Sequence, residues 1–214
     1  MTHTMSRQTH APRCNKTPSR HLLAKVLVTV AATLTLSAFA TDPPASEARH
    51  GRISPHAQTV TTVADQLWEW AELGYLETQS SGLLQTTLAN AGFEIDSGVG
   101  GIPTAFTATF GNGEPVIGIM GEFDALPGIS QAAVPYAETL EGKPSGQACG
   151  HNLFGAGSLG AALAVKDWLQ DTGKPGTVRF YGTPAEEGGS GKVYLVRAGA
   201  FDDVDVALHW HPGD

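Results

Sequence analysis

Two short segments carry side chains whose types and spacing suit metal chemistry. In Cys149-Gly150-His151-Asn152, residues i and i+2 point the same way if the backbone is extended, so thiolate and imidazole can reach one ion together. Gly150 lets the backbone bend closely around that ion, and a thiolate with an imidazole suits a borderline cation such as zinc. In Thr183-Pro184-Ala185-Glu186-Glu187-Gly188-Gly189, two adjacent carboxylates follow an apolar run and precede glycines. One can bind a metal while its neighbour takes a proton from water, the two roles that metal-assisted hydrolysis requires. Each segment alone also fits a plainer reading: a buried cysteine beside an unrelated histidine, and an exposed acidic turn.

Two further segments end apolar runs. Leu208-His209-Trp210-His211-Pro212 places His209 at a strand end, where Asp205 or the backbone could fix its ring. His211 lies past that end beside Pro212 and is the weaker candidate. Gly121-Glu122-Phe123-Asp124 brings two acids to another strand end, either as support for a metal site or as a polar terminus. Cys149 acting as a nucleophile with a histidine is a remaining alternative. Gly155-Ala156-Gly157-Ser158-Leu159-Gly160 matches a dinucleotide pattern, but it follows a proline-containing loop and sits within a helical stretch. Small residues there serve close packing of helix on sheet more simply. Gly191-Lys192 lacks the Ser or Thr that a phosphate loop needs, and no serine has the G-x-S-x-G setting of a hydrolase nucleophile.

These segments need elements to hold them. Val60, Val63, Leu67 and Trp70 recur at helical spacing within residues 58–73, and Gly74 ends that run. A second helix is expected over residues 78–91, with Leu83, Leu84 and Leu88 on one face. Strands are expected over residues 105–110 and 116–120, joined by Gly111-Asn112-Gly113 as a hairpin-type turn. A long loop over residues 124–148 follows, then a helix over 152–169 and a strand over 177–181. A helix ending near Gly199 and a strand over 204–209 complete the pattern. Strands alternating with helices predict an α/β fold with a partly parallel sheet and helices on both faces. In such sheets ligands gather at the carboxyl ends of strands, where Glu122/Asp124, Glu186/Glu187 and His209 are expected.

The chain has 214 residues, of which 41% are hydrophobic and 16% charged, a balance suited to a globular domain. Residues 1–40 contain five Lys or Arg and no acid, then an apolar run ending Ala38-Phe39-Ala40. This reads as a secretory signal peptide and predicts export, to a bacterial periplasm, with no stable membrane span after cleavage. Residues 41–56 read as a flexible linker. Without the leader, eight Lys or Arg face 21 Asp or Glu, a net charge of −13. So acidic a surface repels phosphate backbones and argues against nucleic acid as a partner. Cys149 is then the one remaining cysteine, so no internal disulfide can form.

The segments GYLETQSS, GVGGIPTAF, GEFDALPG, ACGHN, PAEEGG and LHWHPG, in that order, resemble the M20 family of metallopeptidases and amidohydrolases, in its aminoacylase-like branch. The resemblance implies that Cys149, His151, Glu187 and His209 bind metal and that Glu186 is the general base. Glu122 stands where other branches of the family carry a metal-binding His, and Asp124 matches the Asp that supports it. Asn152 replaces the usual Asp after the ligand histidine. One or two divalent ions, zinc or manganese, are implied. The implied reaction is hydrolysis of the amide bond in N-acyl or N-aroyl amino acids or small dipeptides, by a homo-oligomer in its full-length form. Members of the family are about twice this length, so residues 57–214 are expected to be the N-terminal part of a catalytic domain, without the dimerisation domain and C-terminal part. The alternative is a non-catalytic metal-binding or assembly module of the same fold.

Overall fold

The structure, a computed structural model, describes residues 45–213; the leader expected over residues 1–40 lies outside them. In chain order the elements are α1 (Ala45–Ile53), a 3-10 turn (Ser54–His56), α2 (Ala57–Trp70), α3 (Thr78–Asn90), β1 (Glu94–Ser97), a second 3-10 turn (Val99–Gly101), β2 (Phe106–Asn112), β3 (Val116–Gly121), β4 (Leu126–Pro127), β5 (Ser145–Gly146), α4 (His151–Thr172), β6 (Gly176–Gly182), α5 (Gly191–Arg197) and β7 (Val206–Leu208). Within the stretch 41–56 expected as a flexible linker, residues 45–56 are helical. The Arg52 guanidinium reaches Asp171 at 2.8 Å, and His56 Nε2 lies 2.7 Å from Asp167 Oδ2, tying this segment to α4.

Five strands form a mixed sheet in the order β1-β2-β6-β3-β7. β3 runs parallel to both β6 and β7, while β2 is antiparallel to β6 and β1. The α/β class with a partly parallel sheet is therefore as expected. The hairpin is not: β6 lies between β2 and β3, so Gly111-Asn112-Gly113 closes no ladder between them. The turn instead crosses the start of β6. Gly111 pairs with Thr177 and Asn112 with Gly176, Thr177 Oγ1 donates to Gly113 O at 2.8 Å, and Thr177 N–H donates to Pro115 O at 2.9 Å. A Cβ on Gly111 would collide with the Gly176 carbonyl. The physical reason is burial. β6 is nearly buried along its whole length, and a strand covered on both faces belongs in the middle of a sheet.

Alternate residues of β6 supply two cores. Val178 and Phe180 face α2, α3 and α4, joining Leu67, Leu84, Leu88, Phe106, Phe123 and Leu159. Phe106 and Phe180 stack with centroids 5.6 Å apart. Tyr181 faces the opposite way with Ile102, Ala105 and Leu195 of α5, and its hydroxyl donates to Ala200 O at 2.7 Å. Helices thus cover both faces. β7 is different: Val206 and Leu208 are 46% and 51% exposed on an edge strand.

The glycines of α4 serve close approach. A Cβ at Gly155 would sit 2.7 Å from Glu122 O, a backbone atom that cannot give way cheaply. Gly155→Ala is therefore expected to lower stability by about 1–3 kcal/mol through overpacking. Gly82 lies inside α3, and a Cβ added there would meet nothing within 4 Å. It predicts the opposite sign: Gly82→Ala adds about 0.5–1 kcal/mol. Urea unfolding midpoints of the two variants check both, and equal shifts would contradict the packing described.

Candidate metal centre

Parallel β6, β3 and β7 end at the same side of the sheet, with Gly121 of β3 level with Gly182 of β6 and Ile119 level with Leu208 of β7. The chain leaving β3 carries Glu122 and Asp124, the chain leaving β6 carries Glu186 and Glu187, and the chain leaving β7 carries His209 and His211. α4 begins in the same place with His151, preceded by Cys149 and a left-handed Gly150. Segments far apart in sequence are thereby folded into one cluster.

His151 is its centre and is fully buried. Its Nδ1 lies 3.0 Å from both Asp124 O and Asp124 Oδ1, which fixes the ring and leaves Nε2 facing the cluster. Nε2 is 2.9 Å from Glu122 Oε2, 3.9 Å from Glu186 and 4.0 Å from Glu187. Yet that 2.9 Å approach is an ion pair without hydrogen-bond alignment, and His151 Nε2, Glu122 Oε2 and Glu187 Oε1 are all buried without a hydrogen-bond partner. Orphaned buried polar atoms each cost about 1–3 kcal/mol, so three facing one another call for a shared occupant. Among the described residues, two donor groups lie close enough to hold an ion: Cys149, His151 and His211, and Glu122, His151 and Glu186, with ligand atoms within 4.8 Å of one another. Thiol, imidazole and carboxylate donors in this arrangement fit a divalent cation.

Each expected residue has a definite place. Asp124 supports His151 and also accepts the Glu187 N–H at 2.8 Å through Oδ2. Glu187 is mostly buried, whereas the Glu186 side chain is 44% exposed. His209 contacts Glu122 Oε1 at 3.2 Å rather than the thiol; His211 is the histidine beside Cys149, with Nε2 3.4 Å from Sγ. Asn152 turns away from the cluster, its amide donating to Ala64 O at 3.3 Å and its N–H to Gln147 Oε1 at 3.1 Å. The support expected at that position comes from Asp124.

The segment after β7 is pinned by Trp210. Its indole N–H donates to Ser158 Oγ at 3.1 Å, and Ser158 Oγ donates to Met120 O at 2.7 Å. The indole rests over Gly157, where a Cβ would lie 2.8 Å from the ring. Phe154 meets the rings of His209 and Trp210 edge-on at 4.8 and 5.4 Å. This anchoring sets the register of both histidines.

Lys192, weighed in the sequence only as the end of a phosphate loop, belongs to this cluster. It reaches from the first turn of α5 to pair with Glu122 Oε1. Its only sequence signal is a lone cation after a glycine-rich acidic turn, and nothing local reveals its target. Electrostatics around it are pronounced. Burial opposes ionisation of Glu122, but the neighbouring His151 and Lys192 outweigh it and bring the carboxyl down to about 2. Burial likewise opposes protonation of His151, but Asp124 and Glu122 push it up to about 10. Burial, then Glu187, Glu186 and Glu122, push the Cys149 thiol up to about 11.

Several known proteins are similar to this chain. A family model described as peptidase family M20/M25/M40 matches residues 118–214. The chain is 50% identical over 161 residues to a p-aminobenzoyl-glutamate hydrolase subunit of Escherichia coli (strain K12), covering 75% of this chain and 34% of that protein. It is 32% identical over 174 residues to Xaa-Arg dipeptidase of Mus musculus, covering 75% and 36%. The chain thus spans about a third of the length of these curated relatives. Among solved structures, a Bacillus subtilis protein described as a dinuclear metal binding peptidase from M20 family superposes with a TM-score of 0.60 at 27% identity, covering 78% of this chain and 45% of that one.

Removing Lys192 isolates one part of this balance. Lys192→Met leaves Glu122 with histidines alone and is expected to cost about 2–3 kcal/mol at neutral pH, less than the full loss of a buried pair. Glu122 has a lowered pKa when folded, so its contribution is present above 4.5 and is lost as pH falls through about 2. The stability gap between variant and parent should therefore narrow from pH 5 to about pH 2. Denaturant unfolding at several pH values checks this, and a gap that does not change with pH would remove Glu122 as the cause.

Proposed function

Because the chain belongs to the M20 peptidase family, we propose that its described residues supply the metal-binding and proton-transfer groups of an amide hydrolase. The observation that carries this reading is the buried trio of unpartnered atoms around His151 Nε2. A divalent cation, when bound, polarises the scissile carbonyl and makes water a stronger acid. In this reading Glu186, half-exposed at the edge of the cluster, takes a proton from the attacking water and returns it to the leaving amine. Asp124 holds the His151 ring in one orientation, and the Asp124–Glu187 hydrogen bond sets the backbone from which Glu187 reaches inward. Cys149, His151, Glu187 and one of His209 and His211 are the proposed ligands.

Cys149 as a nucleophile is disfavoured, since a thiol held at about 11 is the reverse of an activated one. The Cys149–His151–His211 group suits zinc, whereas the Glu122–His151–Glu186 group, richer in oxygen, suits manganese. The substrate class we propose is a small N-acyl or N-aroyl amino acid such as p-aminobenzoyl-glutamate, or a dipeptide. The identity to the hydrolase subunit supports this choice.

Metal content of the purified chain is the direct test. The unaltered protein is expected to hold zinc or manganese in near-stoichiometric amount, and Cys149→Ala and His151→Ala to lose it. Geometry predicts that His211→Ala also releases it, whereas the family resemblance predicts this of His209→Ala; comparison of the two decides the imidazole. A folded parent chain that retains no metal would sink the reading. Since His151 and Cys149 are both protonated at pH 7 without metal, binding should release about two protons per ion. Affinity should accordingly rise with pH. Calorimetry in buffers of different ionisation enthalpy measures the release, and a value near zero would contradict ligation by these two groups.

A further inference from the structure

Glu77 is completely buried and takes no part in the cluster described above. It precedes α3, whose first N–H groups are satisfied from elsewhere: Glu72 accepts from Gln79 N–H at 3.1 Å and from Ser80 N–H at 2.8 Å. The Glu77 carboxyl is therefore free to turn inward. Its Oε1 accepts the Ala185 N–H at 2.8 Å across 108 residues of chain, and its Oε2 accepts the Thr104 hydroxyl at 2.9 Å. Thr104 is itself held, its carbonyl accepting from Ser81 Oγ at 2.8 Å.

Ala185 is the residue immediately before the two glutamates. It has a φ of 55°, in the left-handed region that non-glycine residues avoid. Packing leaves it little freedom: a Cβ on Gly74 would lie 3.0 Å from Ala185 Cα, and one on Gly189 would lie 2.7 Å from Ala185 Cβ. A strained backbone persists only where its surroundings over-determine it. A buried carboxyl is also an expensive way to satisfy one N–H unless its placement matters.

We propose that Glu77 is a positioning residue for the metal centre. Its carboxyl holds the left-handed turn at Ala185 and so sets where Glu186 and Glu187 point. The inference rests on the metal-binding reading of the cluster. Burial, and then the Asp124 charge, push the Glu77 carboxyl above the usual range, against hydrogen bonds that lower it. Its role needs an acceptor oxygen rather than a negative charge, and glutamine provides one of the same shape.

The test is zinc affinity of the full chain by calorimetry, with Co²⁺ absorption spectra as a report of ligand geometry and circular dichroism as a check of folding. Glu77→Ala is expected to bind zinc about 10–100-fold more weakly, the scale typical of residues that orient ligands, with an altered Co²⁺ spectrum. Glu77→Gln is expected to restore both. A merely structural role would lower the unfolding temperature while leaving zinc affinity and the Co²⁺ spectrum of the folded chain unchanged, and that result overturns the proposal. Failure of glutamine to rescue overturns it too. If Glu77→Ala does not fold, Thr104→Val carries the test. It frees Oε2 and lets the carboxyl swing away from the Ala185 N–H, so Co²⁺ spectra that stay unchanged in both Thr104→Val and the shorter Glu77→Asp would overturn the proposal. An unaltered chain that binds no zinc removes the metal reading itself, and this inference with it.

Discussion

One buried carboxylate ties the site together. Asp124 follows β3, receives the His151 ring at the start of α4 through Oδ1, and receives the backbone of the β6 exit at Glu187 through Oδ2. Three segments far apart in sequence thus meet on one side chain of a residue that is 1% exposed. The parallel pairing of β3 with β6 brings their ends level, but it does not orient side chains. Asp124 does so, because both of its oxygens are committed and neither can turn without stranding a buried donor.

Around that anchor the charges are out of balance. Glu122, Asp124, Glu186 and Glu187 crowd a space where, among the described residues, Lys192 is the one lysine or arginine in contact, and His151 is held protonated by its neighbours. Proteins keep such crowding where function needs it, since each buried carboxylate would be cheaper replaced by an apolar residue. The cluster is tolerable because one site combines a proton on His151, an ammonium from Lys192 and room for a further cation. A bound divalent ion would relieve the same repulsion that the imidazolium relieves in its absence. Metal binding and proton loss are in this sense exchanges at one address.

Much of this was legible from residue order. The apolar runs gave β3, β6, α3 and α4 to within a few residues, and placed Glu122, Asp124, Glu186 and Glu187 at strand exits. The small residues of the α4 motif are packing devices, as their spacing within a helix implied. What escaped was non-local. A glycine-asparagine-glycine turn looks the same whether its flanking strands pair with each other or admit a third between them, and only the burial demand of β6 decides. His209 and His211 share a parity along an extended chain, so which one meets the thiol depends on how Trp210 seats over Gly157. The inward turn of Glu77 depends on Glu72 having already capped α3.

The exposed edge of β7 would couple this chemistry to a strand that paired with it. Val206 and Leu208 lie open on a strand bonded on one side to β3, and the next residues carry the two histidines. A strand added to that edge would stiffen the backbone that delivers an imidazole to the ion. Linkage is reciprocal: whatever factor such pairing adds to cation affinity, the cation returns to the pairing. Assembly at this edge and occupancy of the centre would then be two readings of one equilibrium, so titrating either would report on the other.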